Sequence, residues 1–81
     1  MDYTLFENPK NVFFNDLVHF CSGILGKPRI RGSHHIFKTP YKDNPILNLQ
    51  PRKHDKKMAV PYQVRQARDL FTRMEEDGYE I

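Results

Sequence analysis

The residues best suited to chemistry lie in one run, Arg29-Ile30-Arg31-Gly32-Ser33-His34-His35-Ile36-Phe37-Lys38. Histidine takes or gives a proton near neutrality, because its unperturbed pKa is about 6.5. Arginine and lysine supply the positive charge that stabilises a pentavalent phosphate. Chemistry at a phosphodiester uses both: a group that moves a proton and cations around the phosphorus. Positioned acid–base help of this kind is worth about two to four orders of magnitude. Pattern alone also allows a plainer role for His34, an exposed strand histidine that helps fix a turn, since most exposed histidines are inert.

The remaining histidines and the cysteine have weaker claims. His35, if it faces inward, reads as a hydrogen-bonded core residue and as the second catalytic candidate. His19 and His54 read as surface groups, and Cys21 as a small core residue on an apolar stripe. A zinc site is not expected, because His34 and His35 are adjacent on a strand and face opposite ways. The run Arg52-Lys53-His54-Asp55-Lys56-Lys57 reads as a basic loop that strengthens phosphate binding in a salt-sensitive way. Arg65 follows the start of the last helix, where a helix N-terminus and arginines both favour phosphate. Arg68 and Arg73 are expected on a solvated face of that helix, and the acidic residues from Glu75 to Glu80 in a solvated end.

Five elements must position these groups. Asn8-Pro9 has the form of an N-cap and first helical residue, followed by apolar residues at Phe13, Leu17, Phe20, Cys21 and Ile24. The pattern predicts a first helix over 9–22, ended by Gly23 and Gly26 with Pro28 beyond. Two β-prone runs around Gly32-Ser33 predict a hairpin, and Ile46 to Gln50 a third strand closed by Pro51. Pro61 opens a last helix whose apolar stripe is Val64, Ala67, Leu70, Phe71 and Met74, with Gly78 as its stop. Alternation then divides the sheet. With Phe37, His35, Ile30, Leu47 and Leu49 inward, the open face carries Arg29, Arg31, His34, Ile36, Lys38, Ile46, Asn48 and Gln50. A slip of one residue would exchange His34 for His35.

The whole chain sets bounds on these readings. At 81 residues it has room for one small domain, which excludes a multi-domain enzyme or a fold of several βαβ units. Hydrophobic residues make up 38% and charged residues 28%, too apolar a balance for a wholly disordered chain. No run is long and apolar enough for a membrane span, and the first residues lack a secretory pattern. A single cysteine leaves no internal disulfide, which suggests the reducing cytoplasm. Net charge is +3, but it is unevenly spread: 27–73 carries +9, 1–26 carries −2 and 74–81 carries −4. A basic middle suits a polyanion, most often nucleic acid, although it also occurs as a solvated surface.

Three motifs together carry a resemblance. Gly32-Ser33-His34-His35-Ile36-Phe37, Asn48-Leu49-Gln50-Pro51 and Pro61-Tyr62-Gln63-Val64-Arg65-Gln66, in that order and spacing, closely resemble the HicA toxins of HicA/HicB toxin–antitoxin pairs. The resemblance covers about 12–75, leaving a short N-terminal extension over 1–10, and treats 1–81 as a single domain. It implies an α+β fold of order αβββα, like a double-stranded-RNA-binding domain, with a three-stranded antiparallel sheet and both helices on one face. It also implies ribosome-independent cleavage of mRNA without cofactor or metal. The partners implied are mRNA and a HicB-like antitoxin that masks the active surface, with operator DNA reached only through the antitoxin. His34 matches the catalytic position, with His35 second because subfamilies differ over which histidine is kept. Around it, Arg29, Arg31, Gly32, Ser33, Lys38, Arg52, Lys53 and Arg65 are the expected RNA-binding set. The chain departs from its relatives at Pro28, at Val60 and in the added N-terminal residues.

Overall fold

The computed structural model describes residues 2–81; Met1, at the start of the expected extension, lies outside them. Two 3-10 turns, Thr4–Phe6 and Pro9–Asn11, precede α1 (Phe14–Leu25), β1 (Arg29–Arg31), β2 (His34–Lys38), β3 (Ile46–Leu49) and α2 (Pro61–Glu76). The order is αβββα, and the strands form one antiparallel sheet in the order β1-β2-β3.

The first helix begins later than the expected span of 9–22. Pro9 starts only a 3-10 turn, and Val12 and Phe13 then run extended. The cause is tertiary. Val12 accepts a hydrogen bond from the Ala59 amide, Phe14 donates one to the Lys57 carbonyl, and Phe13 bridges Met58. These contacts hold the chain in β geometry, which a β-branched Val12 favours. The shift changes which aromatic ring is inside: Phe14 is buried, whereas Phe13 is 55% exposed. At the other end Gly23 stays helical, and Gly26, at φ +87°, makes the stop that a residue with a Cβ resists.

The hairpin between β1 and β2 needs only Gly32 and Ser33. Gly32 has φ +59° and, among the described residues, no non-glycine residue is in positive φ, the combination of a type II′ turn. That turn sets Arg31 opposite His34, Ile30 opposite His35 and Arg29 opposite Ile36. On the other side of β2, Ile36 faces Asn48, Phe37 faces Leu47, and Lys38 faces Ile46.

Phe37, Leu47 and Leu49 are buried, and with Leu17 and Cys21 of α1 and the predicted stripe of α2 they form one core. Ile30 is an exception. It lies on the helix-side face by register, yet it is 62% exposed, because β1 is the short edge strand beyond the cover of both helices. The N-terminal residues are part of the domain: Phe6 is 3% exposed, with its ring 5.2 Å from Phe20 and 6.3 Å from Phe71.

Candidate nucleic-acid interface

The open face of the sheet is set by the pleat. Arg29, Arg31, His34, Ile36, Lys38, Ile46 and Asn48 alternate with the core residues and share the side away from both helices. The register therefore selects His34 for this surface and turns His35 away from it. His34 is exposed and stands directly across from Arg31. Its Nδ1 lies 3.2 Å from the side-chain amide of Asn48, which is one residue pair along β3 on the same face. Cross-strand neighbours in this relation are within reach of longer side chains.

His35 is in a different environment. It is half-buried, its ring meets Phe14 edge-on at 5.0 Å between centroids, and its Nδ1 is 3.3 Å from the Ser33 carbonyl. These are the contacts of a packed residue that steadies the hairpin beneath His34.

The cations of the chain divide into two groups. Arg29, Arg31, Lys38, Lys53 and Arg65 form no ion pair with the described residues. Their charge is therefore available to a polyanion. Arg73 instead makes two 3.0 Å hydrogen bonds to Asp43 and stacks 3.6 Å above the Tyr41 ring, clipping the 39–45 loop to α2. That bond holds the Asp43 carboxyl below its ordinary range, and Asp43 in turn raises the Arg73 guanidinium. The sequence pattern for Arg73, a solvated helix face, gave no hint of this role, because Asp43 is thirty positions away. Arg68 pairs with its neighbour Asp69 at 3.3 Å.

Arg52 also has a role that the basic run obscured. Its Nε donates to the Ala59 carbonyl at 2.8 Å, and its Nη2 donates to the Lys10 carbonyl. The side chain thus ties the loop to the strand-like segment on either side of it and to the N-terminal turn. Lys53 and Lys56 line a depression of about 530 Å³ with Ser33, Gln50, Pro51 and Val60, so the basic loop and the hairpin turn share one surface. Gln63, in the first turn of α2, accepts a 2.9 Å hydrogen bond from the Gln50 amide and joins the end of β3 to that helix.

The other histidines, His19 and His54, are exposed. Cys21 is fully buried, and burial pushes its thiol up to about 12, so it stays protonated and chemically quiet. Among the described residues, no three His, Cys, Asp or Glu side chains gather as a metal-holding group. No helix among the described residues is long and apolar enough to cross a membrane. Compared with known proteins, the chain matches no family model, no curated protein and no solved structure.

Proposed function

We propose that this protein is an RNA-cleaving toxin of the HicA type, a ribosome-independent endoribonuclease acting on mRNA in the cytoplasm. The observation that carries the reading is an exposed histidine, His34, on an open β-sheet face, opposite Arg31 and among cations with no ion-pair partner among the described residues. A flat, open face suits a polymer that must lie across the reacting group. The three motifs that resemble HicA toxins provide the second support, since they carry His34, Asn48 and Arg65.

In the proposed reaction His34 takes the 2′-hydroxyl proton, and the 2′-oxygen attacks the adjacent phosphorus. The bond to the 5′-oxygen of the next nucleotide breaks, that oxygen leaves with a proton drawn from water, and His34 releases its own proton to solvent. The products are a 2′,3′-cyclic phosphate and a 5′-hydroxyl end. Arg29, Arg31 and Lys38 stabilise the added charge on the phosphorane, and Lys53 and Arg65 hold flanking phosphates. Neither step uses a metal, so chelator should leave cleavage unchanged. Control in the cell falls to a HicB-like antitoxin that covers His34 and its cations, any operator DNA being bound through the antitoxin.

The test is growth arrest on induction of the wild type and of His34→Ala, with mRNA ends mapped by primer extension. Arrest and new ends with the wild type alone support the reading. Arrest by both moves the chemistry to another residue, with His35 tested next. A folded wild type that binds RNA in a salt-dependent way but neither arrests growth nor cleaves is instead a non-catalytic RNA-binding module on the same fold. A 5′-phosphate product would reject attack by the 2′-hydroxyl.

A further inference from the structure

A neutral histidine carries its proton on one ring nitrogen or the other, and the partner of the non-reacting nitrogen decides which. For His34 that partner is the Asn48 side chain, whose Oδ1 and Nδ2 both lie 3.2 Å from Nδ1. Two arrangements fit these distances. Either Nδ1–H donates to Oδ1, leaving the lone pair on Nε2, or Nδ2–H donates to Nδ1, leaving the proton on Nε2.

We infer that Asn48 is a positioning residue for His34, its Oδ1 accepting from Nδ1–H so that Nε2, across the ring from Asn48, is the nitrogen that takes a proton. The inference rests on the proposed role of His34. Its chemical basis is continuity between protonation states. Once Nε2 gains a proton, both ring nitrogens are donors, and only Oδ1 can face Nδ1. The opposite amide orientation would bring Nδ2–H against Nδ1–H and would have to rotate during each proton transfer. With Oδ1 toward the ring, one hydrogen bond serves the neutral base and the imidazolium alike.

The surrounding charges favour the same orientation. Arg31 faces His34 from β1, and Lys38 lies further along β2 on the same side. No carboxylate among the described residues pairs with His34. The amide oxygen of Asn48 is therefore the negative end of a dipole set beside a ring that becomes positive. The sheet makes the arrangement possible, since Asn48 is held opposite Ile36 and is half-buried between the open face and the edge of β3.

Nitrogen-detected NMR of the His34 ring tests this directly, with the ring neutral, in the wild type, Asn48→Ala and Asn48→Asp. The wild type is expected to carry its proton on Nδ1, and Asn48→Asp, which keeps an acceptor there, is expected to do the same. Asn48→Ala should shift the proton toward Nε2, the form histidine prefers in water. RNA cleavage in parallel should fall about tenfold in Asn48→Ala and recover in Asn48→Asp, in line with other partners that orient a histidine. A wild-type ring protonated on Nε2 would overturn the inference. So would an Asn48→Ala ring with an unchanged proton position, or an Asn48→Ala protein that cleaves at the wild-type rate. If the proton moves as expected while even the wild type fails to cleave RNA, the ribonuclease reading falls and the Asn48–His34 geometry stands.

Discussion

His34 and His35 are neighbours in sequence with opposite surroundings, and the pleat is the reason. One is exposed across from Arg31, and the other is half-buried against Phe14. The two substitutions should therefore separate function from stability. His34→Ala is expected to keep its thermal midpoint and lose cleavage, whereas His35→Ala loses the edge-on contact with Phe14 and should melt at lower temperature. Scanning calorimetry beside the primer-extension assay measures both. Gly32 underlies this division, because its φ of +59° sets the turn that fixes the register. A Cβ at Gly32 meets no atom within 4 Å, so Gly32→Ala adds only backbone strain, about 1–3 kcal/mol. In a domain of this size that is a fall of roughly 5–20 °C in melting temperature.

At the scale of elements, the N-terminal turns act as a strap over the helices. Phe6 fills the space between Phe20 of α1 and Phe71 of α2, and the Tyr3 hydroxyl donates to the Glu75 carboxylate. Phe6→Ala should destabilise the domain by about 3–5 kcal/mol, the range for an aromatic ring removed from a core, as read from urea unfolding. Burial, then the hydrogen bond to Glu75, pushes the Tyr3 phenol up to about 12. A raised folded value stabilises the protein below the ordinary pKa of about 10 and loses that contribution as pH rises through the folded value. The second tether, Arg73 to Asp43, has the opposite sign. Its carboxyl is held below the ordinary range, so the clip is intact above about pH 4 and opens as pH falls through the lowered value. The Asp43→Asn variant should remove this acid-dependent step from NMR titrations of the 39–45 loop, while the sheet register is unchanged.

For the whole molecule, the distribution of charge matters more than its total. The acids within 27–73 are engaged away from the open face: Asp43 with Arg73, Asp69 with Arg68, and Asp55 with the Lys57 amide. The cations of that face keep their charge for a partner. RNA affinity should fall with salt, and Arg31→Ala or Lys53→Ala should reduce the logarithmic slope by about 0.7, the value for one phosphate contact on a single strand. Arg52→Ala should lower stability, because it removes hydrogen bonds to the Ala59 and Lys10 carbonyls. Salt titration by fluorescence anisotropy, with melting curves for the same variants, distinguishes the two effects.

Local patterns in the sequence determined much of this protein. Alternation assigned the faces of β2 and β3, the 3-4 spacing identified the buried stripe of α2, and Gly32-Ser33 set the hairpin. These features rest on neighbours a few positions apart, so period and turn chemistry are enough to read them. Other features depended on contacts between distant segments. The later start of α1 comes from the pairing of Val12 and Phe14 with the 57–59 segment. The exposure of Ile30 comes from the limited reach of two helices over three strands. The structural roles of Phe6, Arg52 and Arg73 arise from partners across the fold. Periodicity states which way a side chain points, and only the packed chain decides what stands there to meet it.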